Sequence, residues 1–378
     1  MLRPVRDEMG VETGVERLQW LFSGTFAFTL LTVPVFGWVV KRVPRAYLLP
    51  VVYGFVVLIL LLFCVSFAAG VTTVTAASFF IWLSAFNLIV VSLFWSNVSD
   101  AFTTEQSHRL YGYIAAGGTA GALAGPALTA LLARYLASAY LLALSAALLC
   151  AAAGCMVLLR RSHRDAEPTA AARPIGGSVL AGVPLTLKLP SLRGVALLVI
   201  CYTAVHTVLY VEIADLARRT YPDPGHRTAF FASLDLAVNG LALGIQLLLT
   251  RPIVQRFGLA IALALVPIVV LGGLAASAFW RTAVLLAGTQ IANRAGEFAL
   301  VRPGREMIYT TVDPESRYKA KNFIDTVVYR GNDALMAWLV SSVRSAGLDA
   351  VLLAAMPVAI AWVVVGFRVG KRHDRGSP

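Results

Sequence analysis

Gln290, Arg294 and Glu297 stand four and three residues apart within an apolar run, 281–301. On a helix this spacing puts all three on one face. Arg305 joins that face if the helix continues past Pro303. A second set follows: Lys321, Asp325, Tyr329 and Asn332 recur at helical intervals, with Arg330 and Asp333 beside them. A third stripe is Asp235, Asn239 and Gln246, and Tyr202 lies in register with His206. Arginine suits phosphates and carboxylates, because its planar fork donates paired hydrogen bonds. Glu297 or Asp325 could neutralise such cations when no anion is bound. With Asp235 they could also carry protons, since burial favours the neutral carboxyl. From Gln290 to Asp333, five basic residues in or beside the two helices (Arg294, Arg302, Arg305, Lys321, Arg330) meet four acids (Glu297, Glu306, Asp325, Asp333), so the local excess is one positive charge.

The elements that must position these groups are apolar helices. The chain has 378 residues, 58% hydrophobic and 14% charged, with a mean hydropathy of +0.75. Soluble domains carry about 25% charged residues. Repeated apolar runs near 20 residues long match the ~30 Å hydrocarbon thickness of a bilayer. The class is an all-α polytopic membrane protein, with the lipid bilayer as its first partner. A charge at the centre of such a helix costs ~2.5–3.5 kcal/mol on insertion scales, so the polar faces are expected to look onto a cavity or onto each other. Cys64, Cys150, Cys155 and Cys201 all sit in apolar runs without metal-ligand spacing, and they read as packing residues. No metal site and no cofactor is expected.

Eleven spans are predicted: 18–40, 47–69, 77–99, 109–133, 137–159, 193–215, 228–250, 257–279, 281–301, 320–343 and 349–368. Counting alternate connections, 21 of the 32 Lys and Arg fall on one side and nine on the other, with Arg294 and Arg330 inside spans. The excess of positive charge marks the cytoplasmic side. It places the C-terminus (369–378) and the long basic segment 160–192 inside, and it gives the +12 net charge a topological meaning without nucleic acid. The segment 160–192 links an N-terminal bundle (18–159) to a C-terminal six-helix bundle (193–368), and its second part reads either as a surface helix or as plain linker.

Internal repetition adds a twelfth helix. "GWVVKRVPR" (37–45) corresponds to "TRPIVQRFG" (250–258), and "FTTEQSHRLY" (102–111) to "YTTVDPESRY" (309–318). Each pair joins equivalent helices if the first half lacks its opening one. On this reading the polar segment 1–17, with "LRPVRDEM" echoing "VRPGREM" (301–307), is the tail of a first transmembrane helix whose body lies upstream of Met1.

Two bundles with a basic central loop resemble the major facilitator superfamily. "GWVVKRVPR" is similar to its loop signature Gly-x-x-x-Asp-Arg-x-Gly-Arg. Gly37, Arg42 and Arg45 match, while Lys41 and Pro44 replace the Asp and the second Gly. "GGTAGALAGP" carries Gly117, Gly121 and Gly125 at four-residue spacing before Pro126. It resembles the Gly-Pro motif of facilitator-type exchangers, and it also fits ordinary close helix packing. "RPGREMIYTTVDPESRYKAKNFIDTVVYRGNDAL" (302–335), "FFASLDLAVNGLALGIQ" (230–246) and "LRPVRDEMGV" (2–11) look like segments of the ATP/ADP exchange carriers of bacteria and plastids and their bacterial relatives.

The resemblance implies a secondary transporter of the bacterial plasma membrane. It would alternate access by rocking two bundles about a central site and exchange an organic anion, a nucleotide being one candidate. Arg294, Lys321 and Arg330 would hold the anion, Glu297 and Asp325 would balance them, and Asp235, Asn239, Tyr329 and Asn332 would line the site. Gly37, Arg42, Arg45, Gly117, Gly121, Gly125, Pro126, Arg302 and Arg305 are expected to gate or to pack. Proton-coupled movement of another small solute is the alternative, and an inactive transporter fragment or a membrane scaffold is a further one. Nothing in the pattern asks for an oligomer, so a monomer suffices. An enzyme is not expected: the sequence has no His-x-x-x-His pair, no Gly-x-Ser-x-Gly turn and no Gly-rich phosphate loop followed by Lys-Ser/Thr.

Overall fold

A computed structural model describes residues 1–102, 104–162, 182–280, 282–344 and 348–376. Among them the chain is helical throughout, and the apolar runs set where the long helices lie. These are α1 (Leu2–Glu12), α2 (Leu18–Arg42), α3 (Arg45–Ala69), α4 (Thr73–Ala101), α5 (Thr104–Leu132), α6 (Ser138–Ser162), the short α7 (Gly182–Lys188), α8 (Pro190–Thr220), α9 (Pro224–Ile245), α10 (Arg251–Trp280), α11 (Ala283–Gly296), α12 (Arg302–Tyr309), α13 (Pro314–Phe323), α14 (Tyr329–Val343) and α15 (Leu348–Gly376). Most of the linker expected over 160–192 falls at 163–181, outside the described residues, and the side chain of Arg45 is outside them too.

Eight helical stretches among the described residues are long and apolar enough to cross a membrane. Two expected spans, 228–250 and 257–279, form one run, Pro224–Trp280. Its helix passes through a π turn at Gln246–Thr250 and bends at Gly258. There φ is +79°, a left-handed value that a side chain would oppose. The runs 281–301 and 320–343 do fold as helices but are not among the eight, because their polar and charged residues dilute them.

The chain divides into two compact units. Unit 1 comprises Met1–Gly14, Ala27–Arg173 and Tyr221–Leu236. Its core is aromatic: Phe79 lies edge-on to Phe63 and Phe67, with ring centroids 5.2 and 5.4 Å away, and Trp82 stacks on Phe86 at 5.3 Å. Around them Leu60, Ala76, Leu141 and Leu142 are fully buried, and in lipid it is close packing rather than removal from water that holds such helices together. Most of the glycine stripe of α5 meets no described neighbour. A Cβ at Gly117 or Gly121 would meet nothing within 4 Å, and only Gly125 stands against a neighbour, the Met1 nitrogen at 3.3 Å. Gly37 is equally open. It lies with Arg42 in the last turns of α2, where Arg42 stacks over Trp38 at 4.4 Å. Four-residue spacing offers a smooth face, but closing it takes a partner helix with a matching surface.

Unit 2 comprises Val15–Phe26, Pro174–Thr220 and Ala237–Pro378. Its tightest seam joins α10 to α15. A Cβ on Gly366 would stand 2.9 Å from the Leu263 carbonyl oxygen, and one on Gly370 would overlap the backbone of Ala260. After the bend at Gly258 the helix restarts with exposed N–H groups, which need acceptors. Asp374 of α15 supplies them: its two carboxylate oxygens accept from the N–H groups of Leu259 and Ala260, each at 3.1 Å. Trp20 meets Trp338 edge-on at 4.8 Å, and the Trp338 indole donates to Ser23 Oγ at 3.1 Å. The short α7 packs on α13, where Gly182 abuts the Lys319 backbone.

Candidate functional site

The polar faces anticipated in the second half come together inside unit 2, and the irregular turns of its helices decide how. Residues Glu297–Val301 form a π turn between α11 and α12. Pro303 follows two positions later and has no N–H to give, so the carbonyls of Phe298 and Ala299, five and four residues before it, lose the donor a regular helix provides. Side chains from the other π turn replace it. Gln246 Nε2 donates to the Phe298 oxygen at 3.0 Å, and Thr250 Oγ1 donates to the Ala299 oxygen at 2.9 Å. That turn, too, ends just before an Arg-Pro pair, Arg251-Pro252. In lipid, where no water can serve freed backbone groups, such replacement is required. The helix thus continues past Pro303 to Tyr309 and carries Arg305 with it.

The widened turn also changes the ion pairing. Regular periodicity puts Arg294 three residues from Glu297. The π turn brings Arg302, five residues on, onto Glu297, with Nε 3.0 Å from Oε1, and Arg302 also stacks over Phe298 at 4.5 Å. Glu297 is buried, and Arg294 is buried on the same stretch beside Gln290 and Asn293. Asn293 approaches His206 of α8, its Nδ2 3.5 Å from the ring Nδ1.

A third π turn, Ile324–Val328, separates α13 from α14. Asp325 within it meets Arg305 Nη1 at 2.9 Å. One turn earlier, Lys321 holds both oxygens of Glu306 at 2.7 and 2.8 Å. These two bonds cross between α12 and α13, on the wall of a cavity of about 460 Å³ that Tyr309, Arg317 and Tyr318 also line. On α14, Asn332 donates to the Ile200 carbonyl at 2.9 Å and to Thr203 Oγ1 at 2.5 Å. Asp333 accepts from Thr207 Oγ1 at 3.0 Å and lies 3.7 Å from Arg330 Nη1. Tyr329 meets Tyr202 edge-on at 5.9 Å.

The structure therefore gathers Arg294, Glu297, Lys321, Asp325, Tyr329, Arg330 and Asn332 into one unit, and it adds Arg302 and Arg305, expected as gating or packing residues, to the same network of ion pairs. Asp235 belongs elsewhere. It lies in unit 1, 3.9 Å from Arg3 Nε, while Asn239, one turn on, is counted with unit 2. Thr203, Thr207 and Asn293 were missed by sequence reasoning because single threonines and asparagines in apolar helices carry no pattern. The π turns had a signal: an Arg-Pro pair inside an apolar run, at 251–252 and at 302–303.

Chemically, this is a set of three cation–carboxylate pairs, Arg305 buried and Arg302 and Lys321 about half exposed, with hydroxyl and amide groups on the neighbouring helices. The sequence model of the Major Facilitator Superfamily matches residues 4–302. The chain belongs to that superfamily. Among curated relatives of this transporter chain, the ADP,ATP carrier protein 1 of Chlamydia muridarum is 23% identical over 164 residues, and that of Chlamydia trachomatis serovar D is 26% identical over 165. Each match covers 38% of this chain and 31% of the carrier, so the matched stretch is about a third of the carriers' length. The fold is similar to that of the solved nucleoside transporter NupG, at a TM-score of 0.68 and 14% identity over 100% of this chain and 95% of that one. It is also similar to a bacterial homolog of the human lysosomal transporter Spinster, at a TM-score of 0.57 and 13% identity over 99% and 96%.

Proposed function

We propose that this facilitator-superfamily chain is a secondary transporter that exchanges an anionic solute of the nucleotide class by alternating access. The observation that carries the reading is the set of cation–carboxylate pairs in unit 2. Arg302 on Glu297, Arg305 on Asp325 and Lys321 on Glu306 are each a basic group whose carboxylate an incoming phosphate could replace. Glu297 and Arg305 are buried, and a buried charge is costly when left alone, so in this reading the acids serve as stand-ins while the site is empty. The partial likeness to the chlamydial carriers supports a nucleotide as the solute. In this reading eleven helices of the chain cross a bacterial plasma membrane, with the C-terminus and the 160–192 segment in the cytoplasm. Charge asymmetry between the connections supports that orientation.

Uptake of labelled ATP into proteoliposomes tests it. Uptake is expected when the vesicles are preloaded with ADP and not when they are empty. Arg294→Ala or Lys321→Ala should weaken apparent affinity by about tenfold or more, the loss of one hydrogen bond to a charged group. Equal uptake with and without ADP inside, or unchanged affinity in both variants, would overturn the exchange reading and these assignments respectively.

A further inference from the structure

Unit 1 holds a buried charge cluster that the transport reading does not use. Arg227, in the first turn of α9, donates to two carboxylates of α1. Its Nη2 is 2.9 Å from Glu8 Oε1 and 2.6 Å from Glu12 Oε2, its Nε is 3.3 Å from Glu8 Oε1, and its Nη1 donates to the Pro222 carbonyl at 3.0 Å. Glu8 is fully buried, whereas Glu12 is 39% exposed at its side chain. The second oxygen of Glu8, Oε2, is enclosed and has no hydrogen-bond partner.

Charge balance exposes the difficulty. One guanidinium faces two carboxylates. The other acid near by, Asp223, adds no positive charge and is itself occupied by His226, which donates from its backbone N–H at 2.9 Å. Two helices packed on α1 offer no relief, since α4 over 73–98 and α6 over 138–159 contain no charged residue, and Arg134, in the connection whose Ala133 abuts Gly225 at the start of α9, is exposed. Along α1 itself, Arg6 is bound to Asp7, and Arg3 lies against Asp235. Glu12 reaches solvent and can stay ionised, but Glu8 is sealed, and an ionised Glu8 keeps its Oε2 buried without a donor, which is costly.

We propose that Glu8, Glu12 and Arg227 form a proton-binding site, in which one proton rests on Glu8 Oε2 and makes the trio neutral. Oε2 is the atom that fits, since it alone of the four carboxylate oxygens is both enclosed and without a donor, while Glu12 can be solvated. Uptake of the proton converts the buried carboxylate to a carboxylic acid, and Arg227 then pairs with Glu12. Release of the proton forces the two acids to compete for one guanidinium and loosens the tie between α1 and α9. The site is defined without reference to the solute that is transported.

Infrared difference spectroscopy of the purified chain in detergent, wild type against Glu8→Gln, reads the proton directly. A protonated-carboxyl C=O band is expected in the wild type at neutral pH, absent from Glu8→Gln, and fading as the solution is made alkaline. Glu12→Gln supplies an independent arm. It leaves Arg227 to Glu8 alone, which favours ionised Glu8 and should lower its proton affinity about tenfold, so the band should vanish about one pH unit lower. A neutral-pH difference spectrum without that band, or an unmoved midpoint in Glu12→Gln, would overturn the proposal. If Glu8→Gln does not fold, the Glu12→Gln titration decides alone. Neither reading depends on transport, so the ATP-exchange proposal can fail without touching this one.

Discussion

The two units both bury polar groups, but on helices of different pitch. Unit 1 fills its interior with rings, Phe63, Phe67, Phe79, Trp82 and Phe86, on helices of regular pitch, and the glycine stripe of α5 stays open. Unit 2 buries threonines, asparagines, arginines and acids as well, carries the three π turns found among the described residues, and closes its own glycine pair, Gly366 and Gly370, against the α10 backbone. Unit 1 holds its buried charge, Glu8 with Arg227, on regular helices, whereas unit 2 lays its polar groups along irregular ones. An apolar interior asks only for volume, whereas hydrogen bonds between helices fix direction as well. A π turn rotates the following residues until donor and acceptor meet.

Matched substitutions in the two units test that contrast. The largest difference should come from the glycines. Gly370→Leu drives a side chain into Ala260 and should cost about 3 kcal/mol, or prevent folding, while Gly121→Leu should stay within about 0.5 kcal/mol, both measured by unfolding in detergent. Equal costs would mean that the stripe of α5 is packed after all. Next is the hydroxyl pair. Thr250→Val leaves the Ala299 carbonyl without its donor and should cost about 2 kcal/mol, because an orphaned buried acceptor loses its full solvation. Tyr53→Phe in unit 1 removes a long 3.3 Å bond to a helical carbonyl, that of Val90, and should cost about 0.5 kcal/mol. The smallest contrast is expected at the helix starts. Asp374→Ala in unit 2 and Thr72→Ala in unit 1, where Thr72 Oγ1 accepts from the Thr75 N–H, should each cost about 1 kcal/mol. Hydrogen exchange of the Leu259 and Thr75 amides reads both. A large inequality there would show that the units differ in more than their interiors.

Much of the architecture was legible in the residues. Apolar runs located every long helix, and the faces of Arg294–Glu297 and Lys321–Asn332 were visible as spacing. The partners were not. Periodicity of 3.6 predicts neighbours three and four apart, and Glu297 finds Arg302 at five because the π turn adds a residue to the circuit. Nor could spacing place Asp235 with Arg3 of α1, 232 positions earlier in the chain, or single out Glu8, whose meaning arises only when Arg227 folds against it. At Gly117 and Gly121 a pattern is present, and a Cβ there would meet no described residue within 4 Å.

The cap on the second part of α10 has a consequence in time. Leu259 and Ala260 receive their acceptor from Asp374, and 115 residues of chain separate the first of them from it. During synthesis that helix start must therefore wait, with its N–H groups served by water or by a borrowed acceptor, until nearly all of unit 2 has left the ribosome. The seam between α10 and α15 is then a closing step, and the maturation of unit 2 should be timed by the arrival of its last helix.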